Sequence, residues 1–98
     1  MTDFDDIKPD EWLEREVERP AKQFAKQQGW WLAKFVSPGL RGVPDDVFIR
    51  DGRVLWIEFK RPGKDLRPQQ KKRVREMREH GAEVHVIDNL ADAYALLR

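Results

Sequence analysis

Residues 42–60 read GVPDDVFIRDGRVLWIEFK. Two aspartates follow a proline, a short apolar run leads to Asp51-Gly52, and a second apolar run ends in Glu58-Phe59-Lys60. Asp-Gly between alternating apolar residues is a strong signal for a two-residue hairpin turn. Residues 46–50 and 53–60 are therefore expected as antiparallel strands. Side chains alternate faces along a strand, so Leu55, Ile57 and Phe59 should fill a core while Glu58 and Lys60 share the other face. Pairing outward from the turn sets position 45 roughly opposite 58, within a residue or two of slip. One acid from each strand and a lysine then converge at the open end of the hairpin. Neighbouring carboxylates repel unless a cation lies between them. Magnesium is held in this way, by one or two carboxylates together with phosphate and water. A lysine beside such an ion can hold a phosphate oxygen or assist an attacking water. An isolated E-x-K is equally a surface salt bridge of small energetic weight. Its coincidence with Pro-Asp at the antiparallel distance, and with a basic segment downstream, favours the chemical reading.

Around this stretch, the 98 residues suit a single domain spanning 1–98, with 1–9 as a flexible acidic N-terminus. No apolar run approaches the roughly 20 residues that span a bilayer, and the acidic start lacks the basic-then-apolar pattern of a signal peptide. Neither a membrane nor a small-molecule cofactor is expected. The chain has no cysteine, which excludes disulfides and thiolate zinc sites and suits a reducing cytoplasm. His80 and His85 alone could offer imidazole, so an all-protein zinc site is disfavoured while an oxygen-ligated hard cation is not. The net charge of +1 hides a polarity: residues 1–18 carry −6 and residues 60–80 carry +6. A basic stripe suits a phosphate backbone, although charge alone also describes an ordinary solvated helix face.

Apolar residues at helical spacing from Asp10 to Gly29 predict a first helix, which Pro20 should kink or divide. Residues 30–36 read as a strand. The loop RPGKDLRP precedes a basic amphipathic helix from Pro68 to His80, with Val74 and Met77 inward and Gly81 as its stop. EVHVI is a fourth strand, and Asp88 or Asn89 caps a last helix. The order is α-β-β-β-α-β-α. Trp31 and Trp56 are expected in the core or at an interface, which leaves Trp12 and Trp30 to consider for base stacking.

SPGLRGVPDDVFI, RVLWIEFKRPGK and the glutamines opening the next helix resemble the VRR-NUC domain, a branch of the PD-(D/E)XK nucleases. The resemblance runs from about Glu14 to Leu97. It implies an α/β, restriction-endonuclease-like core with a mixed four-stranded sheet flanked by helices, and DNA phosphodiester hydrolysis with Mg²⁺ or Mn²⁺. Residue by residue, it makes Asp45 and Glu58 metal ligands together with the backbone carbonyl of Phe59, Lys60 the lysine near the attacking water, and Gln70 the helix-opening glutamine. A first-helix glutamate completes the set: Glu18, which follows an aliphatic residue as in the family, with Glu14 as second choice. Asp46 departs from the pattern and is expected to point away from Asp45 as a non-ligand. Arg41, Arg61, Lys64, Arg67, Lys71 and Lys72 are the expected DNA contacts. Stand-alone members of this size are typical of phages and bacteria, so the resemblance implies the cytoplasm of a bacterium or phage-infected host.

The expected substrate is branched DNA such as a four-way junction, cut by a homodimer whose two-fold axis presents two sites. Trp30, Trp31 and the last helix around Tyr94 are the interface candidates. The competing readings are a nucleic-acid-binding domain of the same fold without the chemistry, a nuclease with little structure preference, and a monomer. A sequence-specific restriction enzyme is disfavoured, because so short a chain leaves little material for a base-reading module.

Overall fold

Strands β2 (Asp46–Arg50) and β3 (Arg53–Phe59) are joined through Asp51 and Gly52, whose φ angles are 50° and 80°. Two central residues with positive φ make the type I′ turn, whose twist matches that of the strands it joins. Aspartate is among the few side-chain-bearing residues that accept this conformation, and glycine accepts it freely. Arg50 pairs with Arg53 and Asp46 with Ile57. One further step sets Asp45 across from Glu58.

The computed structural model describes residues 9–98, with side chains from residue 13 onward. The expected acidic N-terminal segment and the side chain of Trp12 lie outside the described residues. The hairpin forms the middle of a four-stranded sheet in the order β1-β2-β3-β4. β1 (Trp31–Lys34) runs antiparallel to β2, and β4 (Glu83–Ile87) runs parallel to β3. With α1 (Pro9–Gln27), α2 (Pro68–Glu79) and α3 (Leu90–Leu97), the order along the chain is α-β-β-β-α-β-α, the expected mixed α/β arrangement. The return from β3 to a parallel β4 requires a crossover, and α2 supplies it.

One sheet face carries the main core. Val17, Ala21 and Ala25 of α1 recur at four-residue spacing and are buried, together with Ala93 and Leu97 of α3, against Phe48, Leu55, Ile57, Phe59 and Ile87. The alanines let the α1 backbone approach the sheet closely, while each large buried side chain contributes about 1.5–3 kcal/mol. Pro20 does not divide α1, which runs as one helix from Pro9 to Gln27. It forfeits one backbone hydrogen bond, but Val17 before it and Ala21 after it lie on the same buried face. The stripe therefore passes through in register.

The end of α1 corrects the reading of the tryptophans. Gly29 has φ of 88°, and Trp30 N–H donates to the Ala25 carbonyl at 3.0 Å. This six-to-one bond is the mark of a Schellman ending, which tucks the following apolar residue against the helix. Trp30 is accordingly buried, with Nε1 donating to the Leu97 carbonyl at 2.8 Å and Arg50 stacked on its ring. It is available neither for base stacking nor for an interface. Alternation then turns Trp31 outward at 60% exposure on an edge strand. Tyr94 is half-buried and packs on Phe24, with ring centroids 4.8 Å apart. On the other sheet face, α2 buries Val74 on the side of β4, where Val84 is also buried.

Candidate active site

At the open end of the hairpin, alternation works against the usual rule that charges stay in water. Glu58 is 8% exposed and Lys60 5% exposed, both on the face opposite Ile57 and Phe59. The Lys60 N–H donates to the Ile87 carbonyl at 2.9 Å, so the backbone stays in the sheet to this point. Asp45 is exposed and just precedes β2, and its carbonyl accepts from Phe35 N–H at 2.8 Å. Its own backbone N–H donates to the Glu58 carboxylate.

The electrostatics follow from this crowding. Burial pushes the Glu58 carboxyl up to about 7; the Asp45 charge adds to the rise, Lys60 opposes it, and Glu14 raises it further. Glu14 is also raised, first by burial, with Lys60 opposing and Glu18 and Asp45 reinforcing. Glu14, Asp45, Glu58 and Lys60 therefore form one interacting group. Gln70, in the first turn of α2, donates from Nε2 to Glu58 Oε1 at 2.9 Å.

Glu18 also acts on Glu14, but its own hydrogen bonds come from two lysines. Its Oε1 is 2.7 Å from Lys22 Nζ and 2.8 Å from Lys34 Nζ. Burial acts to raise its carboxyl, but the hydrogen bonds from these two lysines outweigh it and the net direction is down. The same two ammonium groups reach Asp46 Oδ1, at 2.7 Å and 3.4 Å. Of the two first-helix glutamates it is Glu14, the second choice, that interacts with Glu58 and Lys60. With α1 unbroken at Pro20, the second turn brings Glu14 toward the hairpin end, while Glu18 shares its two lysines with Asp46.

Sequence reasoning missed Lys22 and Lys34. Lys34 spans both groups, 3.8 Å from Asp45 Oδ2 as well as bonded to Glu18. The β1–β2 register sets it opposite Asp46, a pairing that the short β1 run did not reveal. The expected DNA contacts divide by position. Arg41 and Arg67 flank a recess with Gly42, Pro68, Gln69 and Gln70. Lys71 and Lys72 are exposed on α2, with Lys71 paired to Asp65 at 2.8 Å. Arg61 is half-buried and Lys64 exposed in the loop between β3 and α2.

No family model matches the sequence. A solved structure described as "VRR_NUC domain" superposes with a TM-score of 0.78 at 24% identity, over 86% of this chain and 92% of that one. The curated protein "Putative nuclease p44" of Acyrthosiphon pisum secondary endosymbiont phage 1 is 35% identical over 83 residues, covering 78% of this chain and 83% of its own length. The chain belongs to the family of this phage protein, and its fold is that of the VRR_NUC domain. Asp45 and Glu58 offer carboxylate oxygens from adjoining strand ends, a donor type that fits a hard divalent cation; burial first, and the Asp45 charge second, hold the Glu58 carboxyl up, and a cation would offset both. Among the described residues, no three His, Asp or Glu side chains stand together as a metal-holding group. The fit therefore rests on two carboxylates, leaving further positions to backbone, water or substrate, as is usual for magnesium.

Proposed function

We propose that the protein is a metal-dependent endonuclease, one nuclease unit over its length, that hydrolyses DNA phosphodiester bonds with Mg²⁺ or Mn²⁺. The observation that carries this reading is Asp45 set across the hairpin from a buried Glu58, with Lys60 beside it. Mere binding of a polyanion has no use for clustered carboxylates; cutting it does. In this reading Asp45, Glu58 and the Phe59 carbonyl would hold the ion, and the Glu14 carboxylate would add negative charge beside it. A bound divalent ion would lower the pKa of a water and offset charge on the phosphate. The Lys60 ammonium orients that water or a phosphate oxygen, and Gln70 keeps the Glu58 carboxylate in place. Water adds to phosphorus, the bond to one flanking sugar oxygen breaks, and the nick leaves a phosphate end and a hydroxyl end. Arg41, Arg61, Lys64, Arg67, Lys71 and Lys72 hold neighbouring phosphates, fixing register without reading sequence.

The preferred substrate in this proposal is branched DNA, cut by a two-fold homodimer. Trp31, Phe35, Val36 and Leu40, at 60%, 38%, 82% and 53% exposure, give β1 and its following loop an apolar surface near an unpaired strand edge. A stable dimer needs to bury at least about 1,000 Å² in total. No helix among the described residues is long and apolar enough to cross a membrane. Work on DNA in the cytoplasm of a bacterium or an infected host completes the proposal.

The test is a cleavage assay on linear, flap and four-way-junction DNA with and without Mg²⁺ or Mn²⁺. Paired, metal-dependent cuts on the junction support the whole reading. Equal cutting of all three substrates removes the branch preference, and cutting that persists unchanged in EDTA overturns the metal-dependent mechanism.

A further inference from the structure

Gly42, three residues before Asp45, has φ of 83° and lies against α2. A Cβ built on it would fall 2.6 Å from the Gln69 carbonyl oxygen, 2.8 Å from the carbonyl carbon and 3.0 Å from the Gln70 nitrogen. These are main-chain atoms of the first helical turn, which cannot swing aside as the tip of a side chain would. The loop that carries Asp45 thus rests, backbone on backbone, on the helix that carries Gln70. Arg73 Nε donates to the Arg41 carbonyl at 3.0 Å, a second tie between the same loop and the same helix.

The same turn orients the Gln70 amide. Its Oε1 accepts from Arg67 N–H at 2.9 Å, and its Nε2 donates to Glu58 Oε1 at 2.9 Å. An amide has one oxygen and one NH₂ group, so an oxygen held by a backbone donor leaves the NH₂ to face the carboxylate. Gln70 is already committed at both ends, and its part is to hold Glu58.

We propose that Gly42 and the backbone N–H of Arg67 are positioning groups for the candidate catalytic pair. The Gly42 seat sets how far Asp45 stands from α2, and the Arg67 N–H aims Gln70 at Glu58. Together they keep carboxylates from β3 and from the start of β2 in one arrangement before any ion or substrate arrives. The kinetic consequences rest on the nuclease reading; the structural consequence does not.

The test uses two matched pairs. Gly42→Ala is compared with Gly81→Ala, where φ is 92° but nothing lies within 4 Å of the added carbon. Both variants carry left-handed strain, and only the first loses the seat. Arg67→Pro is compared with Arg67→Ala. Arg67 already has φ of −67° and ψ of 156°, so proline deletes the N–H at a φ it already prefers, and the ψ suits a residue preceding Pro68. Gly42→Ala should lower kcat about 10–100-fold with KM for DNA changed less than about threefold, since misplacement near 1 Å has effects of that order. Gly81→Ala should lower Tm while leaving kcat unchanged. Arg67→Pro should fall below Arg67→Ala in kcat. Adding Arg67→Pro to Gln70→Ala should bring little further loss, as expected of residues acting through one another. In NMR, the Gln70 side-chain amide should move toward a free-amide position in Gly42→Ala and Arg67→Pro, and in neither control.

The proposal is overturned if Gly42→Ala and Gly81→Ala match in kcat and in the Gln70 signal, or if the losses multiply in the double variant. Should Gly42→Ala fail to fold, the Arg67 pair decides: equal kcat and equal Gln70 signals overturn the proposal. If the wild type cuts no DNA, the nuclease reading falls and the amide signals still decide the seat.

Discussion

Lys22 Nζ lies 2.7 Å from Asp46 Oδ1 beneath β2. Asp46 is 2% exposed, and its second oxygen has no hydrogen-bond partner. Burial raises its carboxyl, against the hydrogen bond from Lys22. A charge this deep is tolerated because two ammonium groups converge on it. Asp46 is thus bound into the α1–sheet packing although it is adjacent in sequence to Asp45. Asp46→Ala should destabilise the protein by about 1–3 kcal/mol, the penalty for leaving buried polar groups unmatched. Mn²⁺ affinity, measured by calorimetric titration, should change less than about threefold, a shift under 1 kcal/mol. A large loss of affinity with Tm unchanged would make Asp46 a ligand.

The two first-helix glutamates should separate in the same way. Glu14→Gln is expected to weaken Mn²⁺ binding and lower kcat, because Glu14 interacts with Lys60 and Asp45. Glu18→Gln should chiefly lower Tm, because it breaks the bridge to Lys22 and Lys34. Reversed outcomes would restore Glu18 as the site residue.

Glu58 makes stability depend on pH with an unusual sign. Its carboxyl stands at about 7 against 4.5 for the ordinary group. Between those values the folded protein keeps a proton that the unfolded chain has released, so stability falls as pH rises and the full penalty is present above about 7. Without divalent ions, Glu58→Gln should therefore stabilise the protein at pH 8, by something on the order of 2 kcal/mol, and change little near pH 4. Thermal melts at the two pH values, with and without Mn²⁺, check this: Mn²⁺ should raise the wild-type Tm and leave the variant nearly unmoved. A variant Tm difference that is equal at both pH values would refute the assignment.

Cleavage itself should depend on the charges at the hairpin end. Asp45→Asn and Lys60→Met are each expected to lower kcat by about 100-fold or more. DNA affinity in a gel-shift assay should survive, since Arg41, Arg67 and the α2 lysines are untouched. Wild-type rates from Asp45→Asn would end the nuclease reading.

For assembly, light scattering at micromolar concentration should report a dimer for the wild type and a monomer for Trp31→Glu, with Tm little changed because Trp31 is exposed. A wild-type mass of 11.6 kDa would rule the dimer out.

What was legible in the sequence was mostly local. Asp51-Gly52 fixes a two-residue turn, the turn fixes the register, and the register sets Asp45 across from Glu58, so the pairing of these acids could be read before any fold was known. The order of elements followed from alternation and helical spacing in the same way. The rest depended on long side chains crossing between distant elements. Lys22 from α1 and Lys34 from β1 capture Glu18 and Asp46, and nothing in the spacing of either lysine announces its target. The fate of adjacent Trp30 and Trp31 turned on one left-handed residue, Gly29, which tucks the first under the helix and leaves the second to solvent. Gly42 resembled any loop glycine, because the backbone it rests on lies 27 residues further along the sequence.

The crossover through α2 makes β3 an inner strand whose second neighbour, β4, is not synthesised until more than 20 residues after β3 ends. Until β4 has left the ribosome, β3 lacks one side of its hydrogen-bonding, and Lys60 lacks the Ile87 carbonyl that holds its backbone in the sheet. Glu14, Asp45, Glu58 and Gln70 come from four separate stretches of chain, and the strand that completes the hydrogen-bonding of β3 follows them all. A nuclease built this way would complete the sheet beneath its site late in its own translation, when β4 joins β3.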